Sequence, residues 1–161
     1  MIQAAHYKEA MASFPSGVTV VTTLDAEGDI AGITVSAFSA LSLDPALVLF
    51  CPQYAADTYP LLQASQRFAI HILAGDQQAL AYAFAGKGKD KAKGIDWTLS
   101  ERGNPLLAGA AAIIECELWR NYEGGDHAIL VGEVVNLIMP AEPRVPMAYH
   151  RGQLAALPAL A

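Results

Sequence analysis

The chain has 161 residues, 53% of them apolar and only 16% charged, with a formal charge of −6. One domain spanning residues 1–161 is expected, large enough to bury a core without disulfide or metal staples, and the acidic balance argues against a nucleic-acid partner. The apolar surplus exceeds that of a typical soluble domain and is read as surface covered by a second copy, a homodimer.

In chain order, Ala4 to Ser13 reads as an amphipathic helix with Tyr7, Ala10, Met11 and Phe14 on one side, stopped by Pro15. GVTVVTTL is β-branched and predicts a strand; Asp25 to Asp29 supply turn chemistry, and IAGITVSAF returns as the second strand of a hairpin. LVLFCP is a short continuous apolar run, the pattern of a strand buried on both faces. Asp57 to Ser65 reads as a helix, RFAIHIL as a strand, and Asp76 to Phe84 as a helix capped by Asp76. The glycine- and lysine-rich segment Gly86 to Trp97 is expected to be a mobile loop. Two long strands follow, about Ala111 to Tyr122 and His127 to Met139, joined by a turn at Glu123 to Asp126, with a last short strand near Ala148. Strands arranged in hairpins, with helices at the margins, favour a closed antiparallel barrel over a doubly wound sheet.

Several chemistries lack an anchor. The longest apolar stretch, Ile30 to Phe50, is broken by Ser36, Ser39, Ser42, Asp44 and Pro45, which argues against a membrane span. The first ten residues lack the apolar run of a signal peptide, so a cytoplasmic location is expected. Gly86-Lys87-Gly88 follows a helix and lacks the third glycine of a dinucleotide fingerprint, and Gly88-Lys89 is followed by Asp90 rather than the hydroxyl of a P-loop. His6, His71, His127 and His150 are too scattered for a helical metal pair, so no metal is expected. Cys51 and Cys116 stand apart in apolar surroundings and read as buried, reduced thiols.

Six segments taken in order resemble the flavin reductase-like family with the FMN-binding split barrel, which includes the reductase components of two-component flavin monooxygenases. They are FPSGVTVVTT (14–23), GITVSAFSALSLDPALVLFC (32–51), RFAIHIL (67–73), LAYAFAGKGKDKAKGIDW (80–97), NPLLAGAAAIIECEL (104–118) and GDHAILVGEV (125–134). The resemblance implies a mainly β fold, an antiparallel split β-barrel with flanking helices. It also implies a site: Thr34, Val35, Ser36, Ala37 and Phe38 along the flavin, with Cys51, Thr58, Phe84 and Lys91 as further cofactor residues. Pro15, Ser16 and Gly17 fall where the family's nucleotide-contacting loop begins, and His127 of the Gly125-Asp126-His127 segment falls beside the nicotinamide. A strand ending in small and hydroxyl residues offers N–H groups to a flat heterocycle with no bulky charge in the way. A neutral histidine can hydrogen-bond a carboxamide without adding fixed charge.

The chain departs from the family where hydroxyls hold the flavin phosphate. Ala55 and Asp57 replace two of them and Thr58 remains, so Asp57 brings negative charge towards a phosphate unless a lysine intervenes. Lys8 stands where an amino-terminal arginine is common. The implied activity is hydride transfer from NADH or NADPH to FMN or FAD, with reduced flavin passing to a separate oxygenase. Two alternatives remain open: a non-catalytic flavin- or haem-binding carrier or sensor on the same barrel, and a reductase that retains FMN and acts on an organic substrate.

Overall fold

A computed structural model of the chain describes residues 2–158. Helix α1 (Ala4–Ala12) leads into strands β1 (Ser16–Gly17), β2 (Thr19–Leu24), β3 (Ile30–Val35), β4 (Phe38–Leu43) and β5 (Ala46–Phe50). Helix α2 (Thr58–Ser65), β6 (Arg67–Ile72) and α3 (Gln78–Ala85) follow, then a one-turn 3-10 helix at Lys89–Ala92. The short strands β7 (Thr98–Leu99) and β8 (Pro105–Leu106) precede the long hairpin of β9 (Ala112–Gly124) and β10 (His127–Ile138), and β11 (Met147–His150) and β12 (Gln153–Ala156) complete the order.

Seven strands form one antiparallel sheet in the order β3-β2-β6-β9-β10-β5-β4. Its two edge strands, β3 and β4, are consecutive in the chain and separated only by Ser36 and Ala37. The three Cα–Cα steps from Val35 to Phe38 span at most about 11 Å when extended, so the sheet must curl until the end of β3 comes close to the start of β4. The β3–β4 seam carries no ladder, and the barrel is split there. Phe38 N–H donates to Ser36 O at 3.0 Å and Cys51 N–H to Ala37 O at 3.0 Å, which fixes the corner.

Inside the curl, Val21, Val35, Val48, Phe50, Phe68, Ile70, Ile114, Cys116 and Leu130 pack with Leu62 of α2. The Phe50 and Phe68 rings meet edge to face at 5.2 Å, a favoured aromatic arrangement. A second cluster on the outer side joins Val18 and Val20 to Leu73, Phe84, Leu107 and Met147. Strand β2 is therefore covered on both faces. Its buried threonines satisfy their hydroxyls on backbone: Thr19 on Val35 O, Thr22 on Pro105 O and Thr23 on Arg67 O.

Several expectations are corrected. The first helix ends at Ala12 rather than Ser13; it has no buried residue, and Tyr7, Met11 and Phe14 are exposed. The second hairpin strand does not run on to Phe38; it ends at Val35, and Phe38 begins β4. Strand β5 is only partly covered, with Leu47 and Leu49 half-buried. Asp76 does not cap α3, which starts two residues later after Gln77; its carboxylate pairs with Arg144. The segment after α3 contains the 3-10 turn, and Ala92 within it is buried. Cys116 is buried as expected, whereas Cys51 is only half-buried.

One buried histidine ties the sheet to the segment before β9. His71 is fully buried; its Nδ1 lies 3.0 Å from Val20 O and its Nε2 3.0 Å from Leu107 N. A carbonyl only accepts and an N–H only donates, so the ring is the neutral Nδ1–H tautomer. Burial holds its pKa down to about 4. Because the folded value lies below the ordinary 6.5, the unfolded chain takes up the proton first. Stability is full above pH 6.5 and is lost as pH falls from 6.5 towards 4, by up to about 3 kcal/mol. Urea unfolding at a series of pH values should show that slope, and His71→Gln should flatten it within this window.

Candidate functional site

The seam opens into a cleft of about 470 Å³ lined by Ile33–Ala37, Cys51–Gln53, Ala55–Asp57, Phe84–Lys87, Lys91 and His127. That volume falls in the range of small-molecule sites, about 300–1,000 Å³. The wall at the seam is low because Ser36 and Ala37 have small side chains and both are exposed. Neither donates a backbone hydrogen bond among the described residues, so two N–H groups stand ready for an acceptor at a ligand's edge. Thr34 lines the cleft, but its hydroxyl donates to Ala81 O at 2.7 Å and anchors α3.

Phe84 comes to the cleft from α3 and is otherwise fully buried. It lies against Gly32 so closely that a Cβ there would stand 2.7 Å from the ring. The carbonyl of Gly32 also accepts the Thr58 hydroxyl at 2.9 Å. Glycine at this position therefore lets helix, strand and ring meet.

His127 is placed by the loop after β5. Gln53 and His127 form an isolated bridge, Ala128 N–H donates to Pro52 O at 2.9 Å, and Tyr54 N–H donates to Asp126 O at 3.1 Å. His127 Nδ1 is 2.6 Å from Asp126 Oδ1. This hydrogen bond, with the histidine's charge when protonated, lowers the Asp126 pKa. The acceptor-only carboxylate keeps the proton on Nδ1, which leaves Nε2 of the neutral ring as an acceptor.

The opposite end of the cleft is charged. Asp57 Oδ2 accepts Gly88 N–H at 3.0 Å and so holds the lysine-rich segment against the mouth of α2. Lys91 Nζ donates to Gly86 O at 3.4 Å; burial lowers its pKa and Asp57 opposes that shift. Burial raises the Cys51 thiol pKa, so the thiol is no readily formed thiolate.

Of the residues expected to form a site, the cleft brings together Thr34, Val35, Ser36, Ala37, Cys51, Phe84, Lys91 and His127. It does not include Phe38, which turns inward against the barrel core. Thr58 is also absent: it is 1% exposed and its hydroxyl is committed to Gly32 O, so that hydroxyl is not free for the cleft. Pro15, Ser16 and Gly17 lie outside as well; Ser16 and Gly17 pair with Tyr149 and Ala148. Gln53 and Lys87 line the cleft without having been singled out as site residues. Gln53 carried no sequence signal, whereas Lys87 belonged to the recognised lysine run.

Curled sheet, seam and cleft together define a split-barrel ligand-binding protein, and the comparisons specify which. The chain belongs to the family described as the flavin reductase like domain, which matches residues 11–158. It is 37% identical over 156 residues to the flavin-dependent monooxygenase reductase subunit HsaB of Rhodococcus jostii, covering 97% of this chain and 79% of that one. It is 39% identical over 129 residues to the FMN reductase (NADH) SmoA of Agrobacterium fabrum, covering 80% and 73%. Among solved structures, the Streptomyces globisporus NADH:FAD oxidoreductase in complex with NAD and FAD fragments superposes with a TM-score of 0.88 at 36% identity. That match covers 96% of this chain and 92% of the other.

The Gly32–Phe84 contact yields a prediction. Gly32→Ala must push the ring towards the cleft or spread β3 from α3, destabilising the fold by about 1–3 kcal/mol. Thermal unfolding should show the loss, and ligand affinity at the cleft should fall with it; an unchanged midpoint would show that Phe84 yields freely.

Proposed function

We propose that this protein is an NAD(P)H-dependent flavin reductase that binds FMN or FAD in the seam cleft and supplies reduced flavin to a separate oxygenase. The observation that carries the reading is the cleft itself. An apolar floor at Phe84, unpartnered N–H groups at Ser36 and Ala37, an oriented histidine and a lysine-bearing end line one cavity. These parts fit a flavin: a flat ring needs the apolar floor, its polar edge needs N–H donors, and an anionic tail favours the lysine end. Support comes also from HsaB, named as a reductase subunit, and SmoA, named as an NADH-using FMN reductase.

When bound, the flavin supplies the hydride acceptor, N5, for the hydride leaving C4 of the nicotinamide. The protein's part is to orient the two rings and exclude water; no side chain has to take or give a proton during the transfer itself. His127 Nε2 accepts from the nicotinamide carboxamide, and Asp126 fixes the tautomer that lets it do so. The protein acts as a homodimer in this reading, with exposed apolar groups such as Phe14, 77% exposed, and Leu43, 92% exposed, as surface for a second copy to cover.

NADH or NADPH oxidation followed by absorbance should depend on added flavin and saturate with it. His127→Ala should lower kcat/KM for the nicotinamide nucleotide about tenfold, the loss of one oriented hydrogen bond, while flavin affinity stays unchanged. No turnover with either nucleotide, whichever flavin is added, would overturn the reductase assignment.

A further inference from the structure

The charged end of the cleft contains an acid where a phosphate would be expected to sit. Asp57, Lys87 and Lys91 line it together. Asp57 spends one oxygen, Oδ2, on Gly88 N–H and stands close enough to Lys91 to influence its charge. Lys91 Nζ donates to Gly86 O rather than to the carboxylate. The remaining carboxylate oxygen can only accept a hydrogen bond, and it repels a doubly charged terminal phosphate.

We propose that Asp57 sets flavin selectivity by disfavouring the terminal phosphate of FMN relative to the uncharged tail hydroxyl of riboflavin. This rests on the cleft being the flavin site. A ribityl hydroxyl donates to the free Asp57 oxygen, whereas a phosphate dianion has no proton to donate there and meets the carboxylate's charge. The same carboxylate also holds the lysine-bearing segment through Gly88, so shape and charge must be separated in the test. Asp57→Asn does this: the amide oxygen can still accept Gly88 N–H, while the negative charge is gone. Asp57→Ala removes both.

The test is calorimetric titration of the protein and both variants with riboflavin and with FMN, in the absence of any nicotinamide nucleotide. Asp57→Asn should tighten FMN about tenfold and leave riboflavin within about twofold, so that the ratio of the two Kd values shifts by about 1.4 kcal/mol. Asp57→Ala should shift the same ratio while weakening both ligands through the released segment. An unchanged ratio in Asp57→Asn, in a variant with the parental unfolding temperature, would overturn the selectivity role and leave the flavin site standing. Failure of the parent protein to bind either flavin would remove the site and the selectivity role together.

Discussion

The architecture turns on the two residues Ser36 and Ala37. They join the opposite edges of a seven-stranded sheet, so the sheet can satisfy its chain connectivity only by curling until the end of β3 comes close to the start of β4. The curl encloses the core around Phe50, Phe68 and Leu130. Because the corner belongs to neither ladder, its N–H groups make no backbone hydrogen bond among the described residues. The connection that closes the barrel thus also makes one edge of the cleft. Small side chains suit both tasks: a bulky residue at either position would crowd the corner and cover the cleft.

The parts around the seam serve it in different ways. Helix α3 is pinned to β3 by the Thr34 hydroxyl on Ala81 O and by Phe84 against Gly32. The loop after β5 is paired with the start of β10, so His127 reaches the cleft from the far side of the sheet order. Asp57 draws the lysine-bearing segment over the remaining side. Four chain segments distant in sequence meet at one cavity, held by backbone pairing or by short side chains set against backbone.

The strands and their antiparallel order were largely legible because β-branched runs and turn residues mark them directly. The break at Ser36-Ala37 was not, since it contains neither glycine nor proline and the apolar pattern runs through it. The apolar side of α1 was visible, but what it faces was not: periodicity reveals an apolar stripe without its partner, and this one lies exposed. Asp76 looked like a cap because capping is local, yet its partner is Arg144, 68 residues away. Ordered resemblance named most of the residues that the fold brings to one cleft, including Ser36, Ala37, Lys91 and His127. It also named Thr58 and Phe38, which do not line the cleft because their direction depends on packing: one hydroxyl is used internally by Gly32 and one ring is taken by the core.

If the seam is where flavin binds, backbone amide NMR will register the ligand there. Titration of the isotope-labelled protein with riboflavin should move the Ser36 and Ala37 amide resonances most, followed by those of Gly86 and Gly88. Shifts concentrated instead at the cavity on the other side, around Gln66, Arg102 and Asn104, with Ser36 and Ala37 unmoved, would contradict the account.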